Sequence, residues 1–320
     1  MKNKNLFEII RKKIWIFILA AICLVTVAAH ADNSGLKIPS ASGTTVMKND
    51  KAAVDASNSS EGYVMIKYTG GKDVKVKAII EKNGGTKYTY DVLNKGSYET
   101  FPLSEGKGTY KVTVYENAGG TKYTTAFGTS VSSNMSDDYT TFLYPNQYAW
   151  YTANSNVVKK AKEIVGSKSK ELDKVAAVYD YVVNNFSYDY DKAKTVKSGY
   201  VPNPDSILSS KKGICLDYAS VMVSMLRSQD VPTKLVVGYA GDTYHAWINV
   251  YVKDVGWLDN VIYFDGKNWE LVDPTFASTS SSKTSYKPEQ SKYSTKFVYW
   301  FCGWCENYIS GINIEGVFLL

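Results

Sequence analysis

Residues 211–219 read KKGICLDYA, a segment in which a cysteine closely follows a glycine and opens an apolar run. After Cys215, apolar side chains recur at helical spacing, at Ala219, Met222, Met225 and Leu226. This period predicts a buried helix from about Cys215 to Ser228, ended by Pro232. Gly213 lets the chain turn sharply just before it. The cysteine is therefore predicted at the N-terminus of a buried helix.

Three strands are predicted after this helix, over residues 234–239, 244–252 and 269–273. In the second strand, alternation places His245 on one face with Trp247, Asn249 and Tyr251, and leaves Ala246, Ile248 and Val250 on the other. Asp273 ends the third strand directly before Pro274, which restricts it to an extended backbone. The histidine and the aspartate are thus predicted on neighbouring strands.

Cys215, His245 and Asp273 are the residue types of a cysteine-nucleophile triad. A thiol at a helix N-terminus beside an imidazolium has a lowered pKa, and a carboxylate can orient the imidazole. The backbone N–H of Cys215 is a candidate oxyanion donor. Each residue alone also fits a structural role, since a helix cysteine packs as a small apolar group and Asp-Pro pairs occur in turns. Spacing by itself leaves both interpretations open.

Three local motifs resemble those of the transglutaminase-like superfamily, in the same order: KKGICLDYA at 211–219, YHAW at 244–247 and VDPT at 272–275. The resemblance spans about Leu143 to Phe276. It implies an α+β, papain-like core with the nucleophile helix packed on an antiparallel sheet. It also implies that Cys215 is the nucleophile, His245 the general base and acid, and Asp273 the orienting carboxylate.

The resemblance further implies a second oxyanion donor from an upstream side chain, which is aromatic in transglutaminases and glutamine in papain-like proteases. Gln147 is the only glutamine upstream within this domain and lies far from Cys215 in sequence. Tyr188 is the aromatic candidate, and packing in the core is its alternative role.

The chain before the motifs has a different texture. Residues 57–133 alternate polar and apolar side chains, and Gly-Gly pairs at 70–71, 84–85 and 119–120 are typical of hairpin turns, which predicts a small all-β sandwich of six or seven strands. The hexad GGTKYT, at 84–89 and again at 119–124, fits either a duplication or two similar hairpins. Helices are predicted near residues 157–164 and 169–186, followed by a long loop over 187–213.

These segments predict five regions. They are a signal peptide at 1–31, a solvated linker at 32–56, the sandwich at 57–133, the transglutaminase-like domain at 140–300, and an extension of unassigned role at 301–320. The sandwich is interpreted as a spacer or platform.

The N-terminus has the pattern of a secretory signal peptide. Five Lys or Arg residues flank an apolar stretch from Ile14 to Ala29, and cleavage is expected after Ala31. An uncleaved anchor is the alternative, although a spanning helix prefers roughly 20 apolar residues. Cleavage predicts a secreted or cell-surface protein with no stable membrane insertion. It leaves His245 as the one histidine, with three of the four cysteines.

Composition gives no support for other partners or cofactors. The whole chain has a net charge of +6, from 37 basic and 31 acidic residues. Residues 1–31 hold five of the basic residues and one of the acidic ones, so cleavage leaves 32 minus 30, a net charge of +2. So small a surplus does not favour nucleic acid, and no metal or nucleotide motif is present. A zinc site from Cys215, Cys302, Cys305 and His245 would consume the nucleophile, so no metal and no cofactor are predicted. The Cys302/Cys305 pair is expected to form a local disulfide rather than a redox site.

The leading functional hypothesis is thiol acyl transfer on a peptide or protein substrate, with hydrolysis favoured over transamidation. The competing hypothesis is a non-catalytic surface-binding protein that keeps the triad as scaffold. The sequence predicts neither the oligomeric state nor the substrate.

Overall fold

A computed structural model describes residues 35–71, 73–93, 96–240, 243–264 and 269–271. The chain from Leu36 onward forms one compact unit, and all that follows concerns it. Among the described residues, no helix is both long enough and apolar enough to cross a membrane.

The N-terminal half is a sandwich of two four-stranded sheets. One sheet has the order β1-β2-β3-β6 and the other β5-β4-β7-β8, and every pair is antiparallel. The fold class expected from the sequence, an all-β sandwich before an α+β core, is correct. The strands are β1 Val46–Lys48, β2 Ala52–Asp55, β3 Tyr63–Tyr68, β4 Val76–Lys82, β5 Lys87–Asp91, β6 Glu99–Pro102, β7 Gly108–Gly119 and β8 Lys122–Ser133.

The solvated linker expected over residues 32–56 is wrong from Val46 onward, because β1 and β2 lie there. Ala52 and Val54 are almost completely buried. Between the two strands, the Asn49 side chain accepts hydrogen bonds from the backbone N–H groups of Lys51 and Ala52, both at 2.9 Å. All four residues of β2 are buried, so the segment lacks the alternation that reveals a strand.

Two of the three Gly-Gly pairs close hairpins as expected, between β4 and β5 and between β7 and β8. The repeated hexad starts at these two turns, so similar hairpins account for it. Gly70-Gly71 does not close a hairpin, because β3 and β4 belong to different sheets. It lies instead in a crossover from one sheet to the other.

The C-terminal half is the α+β core. It contains helices α1 Asn156–Val165, α2 Glu171–Asn185, α3 Tyr190–Thr195, α4 Pro204–Ser210 and α5 Cys215–Arg227. Two short strands, β9 Ser187–Tyr188 and β10 Lys212–Gly213, pair in parallel. An antiparallel sheet follows in the order β11-β12-β13-β14, with β11 Thr233–Ala240, β12 Thr243–Val252, β13 Gly256–Phe264 and β14 Trp269–Leu271. Two 3-10 helices lie at Ser59–Glu61 and Thr140–Leu143.

The long loop expected over residues 187–213 is wrong. The segment holds β9, α3, α4 and β10, and we call residues 189–203 the arm. A capping side chain starts each of the two helices within residues 187–213. Asp189 accepts from the Lys192 N–H at 3.0 Å at the start of α3, and Asn203 accepts from the Ser206 N–H at 2.9 Å at the start of α4. Helices this short show no apolar period, so their capping residues were the available signal.

Strand β13 was not predicted, because Asp259 and Asn260 interrupt its apolar pattern. Asp259 accepts a hydrogen bond from the Asn249 amide of β12 at 2.7 Å. The pairing of β12 with β13 shifts register between Ile248 and Val250, which bends the sheet at this point.

The two halves share one contiguous cluster of buried side chains. Residues 144–148 lie between them. On one side, α5 reaches this segment: Ser220 Oγ donates to the Tyr148 carbonyl at 2.5 Å, and Arg227, 1% exposed, donates to the Tyr144 carbonyl at 2.8 Å. On the other side, the Gln147 amide donates to the Asp91 carbonyl at the end of β5, at 2.9 Å. Helix α5 is thus linked to the sandwich through residues 144–148.

Candidate active site

Helix α5 begins at Cys215, as the sequence predicts. Ile214 before it is extended, and its N–H donates to the Asp217 carboxylate at 2.8 Å. This bond satisfies a backbone donor that the helix itself leaves unpaired. Cys215 is partly exposed, whereas every residue from Leu216 to Arg227 is buried. Cys215 is therefore the one residue of α5 that is partly exposed, while its sulfur lies in the buried interior.

His245 lies on β12 and is 7% exposed. Its register partner on β11 is Gly238. The Trp247 ring packs over this glycine so closely that a Cβ there would lie 2.9 Å from Cη2. Ala246, on the alternate face, is almost completely buried in the same core as α5. On the sheet face that carries His245, the large Trp247 ring therefore packs into the space that a side chain at position 238 would need.

Helix α5 meets β12 at the residue after His245. The backbone N–H of Ala246 lies within hydrogen-bonding reach of the Cys215 sulfur, as does that of Leu216. Burial raises the pKa of the Cys215 thiol, and these two N–H groups only partly oppose it. The lowered pKa expected from the helix N-terminus is therefore wrong for the resting chain. A thiol whose pKa is raised holds its proton at neutral pH.

Tyr188 lies beside Cys215. The parallel pairing of β9 and β10 sets it opposite Gly213, and its hydroxyl is within hydrogen-bonding reach of the backbone N–H of Cys215. Burial, with a contribution from Cys215, raises the pKa of Tyr188 to about 12. The hydroxyl is therefore protonated at neutral pH. Of the two candidates from the sequence, Tyr188 is near the thiol, whereas Gln147 serves the joint with the sandwich.

A buried carboxylate two residues after Cys215 was not singled out from the sequence. Asp217 is 0% exposed, and it accepts from Lys192 Nζ at 2.6 Å and from the Tyr200 hydroxyl at 2.5 Å. Its position three residues after Ile214, in the first turn, is the one from which an acidic residue caps a helix N-terminus. That signal was present in the sequence at the start of the helix.

Asp273 lies outside the described residues, as do Cys302 and Cys305. Cys215 is a free thiol. Within the described part of the chain, no three His, Cys, Asp or Glu side chains cluster closely enough to hold a metal ion. The structure thus brings Cys215, Tyr188 and the strand segment that carries His245 together at one end of α5.

Residues 158–260 match the family model of the transglutaminase-like superfamily. This range includes Cys215 and His245 and ends before Asp273. The chain therefore carries a transglutaminase-like domain, and the resemblance stated from the sequence motifs is confirmed.

Two curated proteins are similar to parts of the chain. The UPF0252 protein MJ1282 of Methanocaldococcus jannaschii is 30% identical over 141 residues, which is 38% of this chain and 40% of that protein. The uncharacterized protein YebA of Bacillus subtilis is 29% identical over 106 residues, 27% of this chain and 14% of YebA. The chain thus spans less than half the length of either relative.

Among solved structures, a Cytophaga hutchinsonii protein provisionally described as a cysteine protease aligns at 15% identity with a TM-score of 0.33. The alignment covers 72% of this chain and 68% of that one.

Proposed function

We propose that the protein is a cysteine-nucleophile enzyme that acts on peptide or amide bonds through Cys215, His245 and Asp273. The observation that carries the proposal is the proximity of the Cys215 sulfur to the backbone N–H of Ala246, directly beside His245. The match of residues 158–260 to the transglutaminase-like superfamily supports it.

In the proposed reaction, the Cys215 sulfur attacks the substrate carbonyl carbon while its proton passes to His245. The oxyanion that forms is stabilised by the Cys215 N–H and the Tyr188 hydroxyl. The C–N bond then breaks, His245 returns the proton to the leaving amine, and a thioester remains on Cys215. Asp273 holds the imidazole in the orientation that both transfers need. Water then gives a proton to His245 and adds to the thioester carbonyl, the C–S bond breaks to release the acid, and His245 returns the proton to the Cys215 sulfur.

Burial of the thiol favours this order of events. Since the pKa of Cys215 is raised, a resting thiolate would be costly, and proton transfer coupled to attack avoids it. The raised pKa of Tyr188 keeps its proton in place for the oxyanion. We further propose that the enzyme is secreted or held at the cell surface and cleaves peptides there.

Hydrolysis and transamidation differ only in what resolves the thioester. The mature protein is incubated with peptide amides, with and without a labelled primary amine, and the products are read by mass spectrometry. Hydrolysis predicts equal release of acid in both, with no label incorporated. Label in the acyl product identifies a transamidase. Intact substrate under all conditions, with Cys215 also unreactive toward acyl donors, identifies a non-catalytic binding protein.

A further inference from the structure

Asp217, two residues after Cys215, is a buried carboxylate that contacts two side chains from another part of the chain. Lys192 Nζ lies 2.6 Å from one carboxylate oxygen, and the Tyr200 hydroxyl lies 2.5 Å from the other. The Lys192 ammonium also contacts the Tyr200 hydroxyl at 2.7 Å and sits 4.1 Å from the centre of its ring. Each of the two carboxylate oxygens is thus hydrogen-bonded.

The three side chains come from different parts of the chain. Lys192 is on α3 and Tyr200 follows it, so both belong to the arm, whereas Asp217 is on α5. At its other end, the arm approaches the sandwich, where a Cβ at Gly199 would lie 3.7 Å from Asp91 Oδ2. The arm also carries Tyr190, which packs at 5.1 Å on Tyr188, the residue beside Cys215. The pair of opposite charges therefore joins the arm to the helix end that presents the thiol.

We propose that Asp217 and Lys192 are a positioning pair: they hold the arm against the N-terminus of α5, and their opposite charges balance the electrostatic field at the Cys215 sulfur. The inference rests on the proposed function, in which that sulfur is the nucleophile. Neither side chain is assigned a contact with the substrate.

The charges that face the thiol define what each partner does. On its own helix, Asp217 raises the pKa of Cys215. From β9, Tyr188 is protonated and carries no charge, and His245 lies on β12. From the arm, Lys192 offsets Asp217, while Asp189 is engaged with the half-exposed Lys212 at 3.4 Å. Loss of Lys192 leaves a negative charge beside the thiol, and loss of the Asp217 charge leaves a positive one.

The test measures the pH at which Cys215 reaches half its maximal rate of alkylation by iodoacetamide, in a titration that starts at pH 6 and continues until the rate no longer rises. The product is read on the Cys215 peptide by mass spectrometry, so other cysteines do not contribute. Lys192→Met is expected to raise this midpoint by about half a unit to one unit, and Asp217→Asn to lower it by a similar amount. The double variant is expected near the wild-type value.

Shifts of the alkylation midpoint in opposite directions in the two single variants distinguish a positioning pair from a pair that only supports packing. Loss of packing would move both single variants in the same direction or neither, and either result overturns the proposal. Lys212→Met is the matched control, since it removes one positive charge from the half-exposed partner of Asp189; it is expected to leave the midpoint in place. An equal shift in Lys212→Met contradicts the specific role of Lys192.

The folded state of each variant is checked by circular dichroism. Lys192→Met keeps the hydrogen bond between Asp217 and the Ile214 N–H. If Asp217→Asn does not fold, the Lys192→Met variant therefore decides the test by itself. An alkylation midpoint that does not rise in Lys192→Met then overturns the proposal. Alkylation needs no substrate. A midpoint that shifts as expected in a protein inactive on all peptides would refute the proposed function and leave the pair intact, and the reverse result would refute only the pair.

Discussion

Gly213 and Asp217 fit together so closely that a Cβ built on Gly213 would lie 2.5 Å from the Asp217 Cβ. Contacts this short between a Cβ and the base of another side chain require movement. Gly213→Ala is therefore expected to push Asp217 away from the Ile214 N–H and to lower the free energy of unfolding by about 1–3 kcal/mol. Urea unfolding measures the loss.

Gly128→Ala is the matched control for this substitution. Its Cβ would meet no atom closer than Thr113 Cγ2 at 3.8 Å, an ordinary contact. We expect a change below about 1 kcal/mol. Equal losses in the two variants would contradict the close packing of Gly213 against Asp217.

The Tyr188 hydroxyl is expected to stabilise the oxyanion. Tyr188→Phe keeps the ring, so kcat should fall roughly 100-fold with KM nearly unchanged. Tyr190→Phe is the control, because its ring packs on Tyr188 but is 61% exposed. Steady-state kinetics on a peptide amide compare the two variants. A similar loss in both, or a change confined to KM, would remove Tyr188 from the oxyanion site.

The buried thiol makes stability depend on pH in a defined direction. The folded-state pKa of Cys215 is raised by burial, so the folded chain holds the thiol proton more tightly than the unfolded chain does. Its contribution is fully present below the ordinary thiol value of about 8.5 and is lost as pH rises through the folded value.

The measurement is the free energy of unfolding at pH 7 and pH 10, for wild type and for Cys215→Ala. Wild type is expected to lose more stability over this interval. Burial raises the pKa values of several tyrosines, which affects the pH dependence equally in the two proteins, so their effects cancel in the difference. Equal losses would show that the thiol is not desolvated in the folded protein.

Helices and strands whose apolar residues recur at regular spacing over many positions could be predicted from the sequence. Apolar spacing after Cys215 and the alternation around His245 placed α5 and β12 within about one residue of their observed ends. Their contact could not be derived from period alone, because it depends on how the helix end meets the sheet. The family resemblance supplied that step.

The other residues of the site lie in helices and strands that are too short to show such a pattern in the sequence. Tyr188 reaches Cys215 through a parallel pair of only two residues per strand. Lys192 and Tyr200 meet Asp217 across the arm, at sequence separations of 25 and 17. A single lysine or tyrosine in a polar segment gives no local indication that its partner is a buried carboxylate. The raised pKa of Cys215 likewise depends on burial, which no local motif reports.

The central claim is that Cys215 is the nucleophile and His245 its base, and acylation by a peptide p-nitrophenyl ester tests it most directly. The reaction is quenched in acid, and the acyl group is located by peptide mass spectrometry. Wild type, Cys302→Ser and Cys305→Ser are expected to carry it on Cys215. Cys215→Ala should carry none, and His245→Ala should acylate at least about 100-fold more slowly. Acyl groups on other residues, or equal rates in wild type and His245→Ala, would contradict the account.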